Sequence, residues 1–274
     1  MRLLTPLRES QVHVAQVRRR THGRAYLYAV LVVGLAAATP AAQRVPSLPI
    51  TPFKVGEVLS YDISWSTYLT AGSATLSVKE HKPSGSPALY DLVAEGRSVS
   101  LLDKLYHIYY KAESLLAKDT LQPSMSTVFS DERGRAKLRT TTFIGPTAVD
   151  FQPKVDAPAE RKKTPALAKD PLSAIYVMRS FPLDAGKVFT MPIVDGRDVY
   201  NAAWQVGAPE QLKTPAGTFA AWRITPTLTT IDGKPMANYR ITVWLSNDAR
   251  RLPLKLEAGL AVGNFVLTLN KIAE

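Results

Sequence analysis

The 274 residues include no cysteine. Disulfide staples, thiolate nucleophiles and cysteine-held metal centres are thereby excluded, and stability has to come from burial. With no cysteine behind the apolar run near the N-terminus, the usual bacterial lipoprotein anchor is excluded too. Histidine is scarce, and only His81 and His107 lie beyond residue 42. A two-histidine metal site would draw on distant segments, and the chain has neither HExxH nor GxSxG. Basic helices, zinc spacings and aromatic RNA-binding signatures are missing as well, which removes nucleic acid as a partner. Ala25–Ala38 is too short a run to span a bilayer, which takes roughly 20 apolar residues.

That run is informative for another reason. Arg18, Arg19, Arg20 and Arg24 precede it, and small residues and Pro40 follow. A basic stretch, an apolar stretch and an alanine-rich exit form the layout of a secretory signal peptide. The expectation is a signal peptide with an extended basic leader over residues 1–42. Cleavage after Ala38 or Ala42 would deliver a periplasmic mature protein that does not span the membrane; the alternative is an uncleaved anchor. Arg19-Arg20-Thr21-His22 matches the twin-arginine pattern poorly, which favours Sec export. The polar Met1–Val17 segment resembles no part of a signal, and a translation start near Val12, Val14 or Val17 would remove it. Six arginines and Glu9 give the leader +5 of the formal +11. The remaining +6 is spread thinly, with Arg161-Lys162-Lys163 the one tight run, read as a solvated loop in preference to a phosphate site.

Residues 43–274 read as a single β-rich domain. Leu59, Tyr61, Ile63 and Trp65 alternate with Ser60, Asp62 and Ser64, and Gly72, Ala74, Leu76 and Val78 alternate with Ser73, Thr75 and Ser77. Further strands are expected over 89–95, 123–129, 136–144, 148–152, 187–194, 199–206, 219–227, 239–245, 252–257 and 260–271, with turns at Gly145-Pro146, Pro215-Ala216-Gly217, Asp232-Gly233 and Asn247-Asp248-Ala249. A helical turn near Leu101–Leu105 should lead into another strand. Lys154–Ala168 reads as a long surface loop. Asp170–Phe181 is the one convincing helix, with Asp170 as cap, Pro171 at its first position and Pro182 beyond its end. The fold class is mainly β: a large curved antiparallel sheet or open β-barrel with one principal helix packed against it.

Two constellations are candidate ligand-binding sites. Alternation puts Glu57 in the apolar row of Tyr61 and Trp65, and helical spacing puts Arg179 with Leu172, Ile175 and Tyr176. Two charges in apolar rows predict that Glu57 and Arg179 meet at the helix–sheet junction, as a structural ion pair or a ligand-binding carboxylate. The second is the hairpin around Asn247, where Trp244 should stand exposed with Arg251 and Lys255 nearby, suited to an anionic or sugar-like ligand, or else an ordinary edge hairpin. Trp65, Trp204 and Trp222 are expected in the core. His81 reads as solvated, and Glu113 shares a solvated face with His107 and Lys111.

The segment Pro52-Phe53-Lys54-Val55-Gly56-Glu57-Val58-Leu59-Ser60-Tyr61, followed by Trp65 and Gly72, resembles the opening of the exported bacterial family called domain of unknown function 3108. Asp170-Pro171-Leu172-Ser173-Ala174 with Tyr176 and Arg179, Thr214-Pro215-Ala216-Gly217-Thr218-Phe219, and Trp244-Leu245-Ser246 through Arg251-Leu252-Pro253-Leu254-Lys255 resemble its later motifs. Asn247 departs from the acidic residue commoner there, which weakens a metal reading of that hairpin. The resemblance implies an envelope protein with a mostly antiparallel β fold and no settled activity. Nothing in the sequence calls for a cofactor, metal or catalytic residue. The leading expectation is a non-catalytic binding or carrier module for a lipid, lipoprotein or envelope glycan. A structural or partner-binding envelope protein is the alternative, and a hydrolase of cell-wall sugars, needing two carboxylates in a cleft, stands third. An apolar cavity of a few hundred Å³ would mark the carrier, and an exposed apolar patch or open sheet edge the partner-binding protein.

Overall fold

The computed structural model describes residues 51–65, 69–99, 103, 107–236, 240–260 and 263–273. Among them are fourteen strands and one helix. The strands are β1 (Val58–Trp65), β2 (Leu69–His81), β3 (Leu89–Ser98), β4 (Ile108–Ala117), β5 (Pro123–Glu132), β6 (Arg135–Phe143), β7 (Ala148–Gln152) and β8 (Glu160–Lys163), then β9 (Val188–Asp195), β10 (Asp198–Thr214), β11 (Gly217–Thr230), β12 (Arg240–Ser246), β13 (Pro253–Leu260) and β14 (Gly263–Ala273). The helix α1 (Pro171–Arg179) lies between β8 and β9 in the chain.

All fourteen strands form one antiparallel sheet in the order β8-β7-β6-β5-β4-β3-β2-β1-β14-β13-β12-β11-β10-β9. Hairpins run outward along each arm, and the pairing of β1 with β14 zips the first and last strands together at the centre. β8 and β9 are therefore the two edges, and the segment joining them has to cross from one to the other. It does so over one face of the sheet, where α1 touches β3, β4 and β9. Contact with an edge strand and with two inner strands of the other arm requires a curved sheet, and the face carrying α1 is its inner face.

The edges converge without a ladder. Val149 of β7, Ala168 and Val194 of β9 are buried together, with Phe143 and Val199 against them. Lys169 pairs by backbone with Pro192 and Val194, so the chain covers part of its own β9 edge before entering α1. Across the gap, Arg197 bonds Glu160 at 2.8 Å and Lys162 donates to the Arg197 carbonyl at 2.6 Å. The sheet is open, in agreement with the fold class read from the sequence.

Local chemistry fixes α1. Asp170 Oδ1 accepts from the amides of Leu172 and Ser173, both at 3.0 Å, Pro171 takes the first turn, and Arg179 complements the negative end of the helix. The helix buries Tyr176, Met178 and Ala174 against Phe53, Val78, Leu92 and Leu116 of one arm and Met191, Trp204, Ile224 and Leu245 of the other.

Several expectations need correction. The stretch 154–168 contains β8, a strand of four charged or polar residues held to β7 by its backbone. β10 continues to Thr214 through a bulge at Val206–Pro209, where the Gly207 backbone presses on the Arg223 carbonyl. Beyond that bulge the hairpin tip reaches β14, with Ala216 N donating to the Leu269 carbonyl at 3.3 Å. The helical turn expected near Leu101–Leu105 lies, apart from Asp103, outside the described residues.

Candidate functional site

At the helix–sheet junction the structure joins Glu57, Tyr61, Tyr176 and Arg179. Arg179 is wholly buried and forms a fork on Glu57, Nη1 to Oε1 at 2.6 Å and Nη2 to Oε2 at 2.8 Å. Its Nη2 also donates to the Arg250 carbonyl at 3.1 Å, and the guanidinium lies over the rings of Phe53 and Tyr176. The Tyr61 hydroxyl donates to the Pro253 carbonyl at 2.7 Å. Burial, above all, pushes the phenols of Tyr61 and Tyr176 above the usual tyrosine range, with Arg179 pulling the other way. Arg251 joins this cluster by donating to the carbonyls of Arg179 and Phe181 at the end of α1. Glu57, Tyr61, Tyr176 and Arg179 are each 5% exposed or less, and the Tyr176 hydroxyl and Arg179 Nε are the cluster's buried polar atoms without a partner among the described residues: the assembly is a structural clasp.

Trp244 and Lys255 lie elsewhere, on the outer face. Lys255 Nζ stands 4.8 Å from the Trp244 ring, as the hairpin register predicts. Trp244 is nevertheless buried, at 5% exposure, and its indole nitrogen donates to Glu210. The folded-over β10–β11 tip covers it with Leu212, Ala216 and Phe219. The exposed stacking platform expected there is a second small core, and Arg251 is not part of it.

Trp65 corrects the core assignment in the other direction: it is 44% exposed. Its ring stacks on Phe265 at 6.3 Å with 7° between planes. Cross-strand pairing continues the row from Trp65 to Phe265, Ala258 and Ile241, and the next row runs Ile63, Leu267, Leu256 and Val243. Directly paired residues share a face, and these share the one that carries α1. Toward α1 this face is sealed, with Val78, Leu92 and Leu116 at 1% exposure or less. At the Trp65 end all but Val243 stay partly open to solvent. Ile63 lies over Gly72 and Gly96, and beyond Gly96 the next cross-strand neighbour is Tyr110, 39% exposed. Together they make an apolar shelf on a concave surface. Alternation identifies its residues, but their openness depends on where α1 lands.

Two hollows complete the surface. One of about 60 Å³ lies between the start of α1 and β4–β7, with Arg139, Asp170 and Asp195 in its wall. Burial raises the Asp195 carboxyl above its ordinary range against the pull of Arg139. Asp170 is committed to capping α1 and to the Ser114 and Ser173 hydroxyls. That volume holds about two waters, not a sugar ring, so this carboxylate pair does not make a glycosidase cleft. The other hollow, about 380 Å³, is an open groove on the outer face lined by Ser60, Asp62, Ser73, Thr75, Glu95, Arg97, Asn270 and Lys271. Of its aromatic neighbours, Tyr61 is buried and turned inward, and Tyr109, cross-strand from Arg97, donates to Glu95 Oε1 at 2.6 Å.

The remaining candidates are plain. His107 Nδ1 lies 2.9 Å from Asp103, and Ser98 Oγ donates to the same carboxylate oxygen, so among the described residues no serine is set against the imidazole. Glu113 pairs with Lys111 at 2.7 Å on the outer face. Among the described residues no group of three or more histidine or acidic side chains could hold a metal, and no helix is long and apolar enough to cross a membrane.

Comparison with known proteins follows the fold. The model of the family described as "Protein of unknown function (DUF3108)" matches residues 60–270. No curated protein matches the chain. A β-barrel-like protein of domain of unknown function DUF1849 from Brucella abortus is similar over 80% of this chain and 97% of its own, at 11% identity and a TM-score of 0.53. Weaker likenesses are a protein provisionally described as exported, with a YmcC-like fold, from Bacteroides fragilis (9% identity, 81% and 98% coverage, TM-score 0.30), and one provisionally described as a lipoprotein from Parabacteroides distasonis (10%, 80% and 95%, 0.31).

Proposed function

The chain belongs to the DUF3108 family, and from that premise we propose that it is an exported, non-catalytic binding or carrier module for an amphipathic envelope component. The observation that carries this reading is the open apolar shelf of Ile63, Trp65, Leu256, Leu267, Phe265 and Ile241 on a concave face. Apolar side chains left in water on the inner side of a sheet are unfavourable unless something covers them. The binding mode differs from the enclosed cavity that the carrier expectation requires. The interior beside α1 is packed, and a ligand would lie along the shelf with one side toward solvent. The arginine-led apolar leader supports export.

The openness of the shelf favours a second reading, in which the apolar segment of an envelope protein lies there in place of a lipid or lipoprotein chain. Native mass spectrometry of the protein purified from its own envelope separates the two. A lipid or lipoprotein appears as discrete added mass, lost on Trp65→Ala, whereas a protein partner appears as a stoichiometric complex. Bare protein of unaltered mass, together with an unchanged spectrum for Trp65→Ala, would remove both.

A further inference from the structure

The inner face of β6 carries three cations that make no ion pair among the described residues. Cross-strand pairing fixes which way they point. Lys137 is opposite Ser130, Ser130 opposite Tyr110, and Tyr110 opposite Gly96, which lies under Ile63. Arg139 is opposite Val128 and lines the hollow beside the start of α1, confirming the side. Alternation puts Arg135 on the same face. Three cations thus stand in one column on the concave side.

Several cations on the outer face of the sheet are neutralised. On the outer face Lys111 pairs with Glu113 at 2.7 Å, Arg161 with Asp150 at 2.6 Å and Lys255 with Glu257 at 2.6 Å. Among the described residues, Arg135, Lys137 and Arg139 have no such ion pair. The carboxylates facing the column are Glu132, cross-strand from Arg135 and accepting from the Tyr110 hydroxyl, and Asp195, opposite Arg139. Neither pairs with Lys137. Inward charges can guard an edge strand against unwanted pairing, but β6 lies two strands inside the edge, where no guard is needed.

Between this column and the shelf the floor holds Tyr110, in the direct row between Ser130 and Gly96, and small residues around it. Ser130, Ala112, Ala94, Gly96, Ala74 and Gly72 lead from β5 to β2 along the same face. Strands are about 4.8 Å apart, so the six steps from β6, which carries the cations, to β14 cover about 29 Å of sheet, and less across its curve. The trough therefore has a cationic end, a middle stretch of small residues beside Tyr110, and an aromatic end.

We propose that this trough takes one monomeric anionic amphiphile, its acidic headgroup on Lys137 and the flanking Arg135 and Arg139, its chain over Gly96 and Gly72 to the Trp65–Phe265 shelf. This rests on the binding reading above and adds the sign of the ligand's charge and its direction in the site. The commitment is to a single bound molecule and not to a membrane surface.

The test titrates the purified protein with dodecyl phosphate, dodecyl maltoside and dodecyltrimethylammonium, each below its micelle concentration, by calorimetry. Dodecyl phosphate should bind roughly tenfold or more tighter than the maltoside, and the trimethylammonium weakest. Lys137→Glu, at an exposed position, should abolish the preference; Arg135→Gln should halve it or more. Trp65→Ala should weaken all three. Equal affinity for the three amphiphiles overturns the charge assignment and leaves the shelf reading standing. Binding of none overturns the shelf reading itself. Attachment to anionic vesicles without uptake of the monomer also overturns the proposal, in favour of a membrane-docking face.

Discussion

Replacing Glu57 by Gln keeps its shape and removes its charge, which isolates what the buried clasp does. Arg179 is wholly buried, and its fork on Glu57 supplies the only opposite charge within hydrogen-bond reach among the described residues. The carbonyl of Arg250 and the rings of Phe53 and Tyr176 solvate the guanidinium only in part. Stranding one member of a buried pair costs about 3–5 kcal/mol, and for a domain of this size that corresponds to roughly 6–20 °C in Tm. Urea unfolding should show a lower midpoint at unchanged slope. The paired replacement Glu57→Leu with Arg179→Met removes both charges and should recover most of the loss, because a well-packed apolar substitute is often as stable as the ion pair. Recovery will be incomplete, since the Arg250 carbonyl loses its donor. A single-variant loss under about 1 kcal/mol, or a double variant no better than Glu57→Gln alone, would refute the view that the clasp is a coupled, desolvated pair.

Lys169 is buried just ahead of α1, and burial draws its pKa down to about 8 against the pull of Asp170. Between that value and the ordinary one near 10.5 the unfolded chain holds a proton that the folded chain has released. Stability should therefore rise with pH across this window by up to about 3 kcal/mol, and Lys169→Met should flatten the rise in pH-dependent urea midpoints; an identical slope in both proteins would contradict it. Tyr61 and Tyr176 have phenols raised by burial, so above pH about 10 the unfolded state sheds protons that the folded state keeps, and stability should fall. Ultraviolet titration should show these two ionising only as the protein unfolds, and their smooth ionisation in folded protein would count against their burial. Gly72→Ala would place Cβ 2.3 Å from the Arg97 carbonyl oxygen, whereas at Gly96 the nearest atom is 3.8 Å away. The first should cost about 1–3 kcal/mol and the second far less, measured as urea midpoints; equal losses would refute the close approach of β2 to β3.

The junction was legible because two different periodicities converge there. Alternation put Glu57 in an apolar row of β1, and the helical repeat put Arg179 in the apolar stripe of α1; neither charge had another explanation. The capping of α1 by Asp170 was equally local. What failed was non-local. Glu160–Lys163 has no apolar alternation, so a strand held by its backbone and by the Arg161–Asp150 pair reads as a loop. The expected strand stopped at residue 206, although a bulge carries β10 on past Gly207 and Pro209. Alternation assigned Trp244 to the correct face, yet its burial comes from a hairpin tip more than twenty residues away in the chain. The column on β6 was readable as Arg135, Lys137 and Arg139 at every second position, but its meaning requires knowing which face is concave.

The exposure of Trp65 follows from lengths. With nine residues, α1 is about 13 Å long at 1.5 Å per residue and 10–12 Å across. The eight residues of β1 span about 26 Å at 3.3 Å each. Either dimension of the helix is about half of that length. The clasp of Glu57 and Arg179 pins its C-terminal end near the start of β1, and Lys169 ties its N-terminal end to β9. Both ends being fixed, α1 cannot slide toward Trp65. The same residues that seal one half of the inner face therefore leave the other half uncovered, and the apolar side chains there can be desolvated only by something outside the described fold.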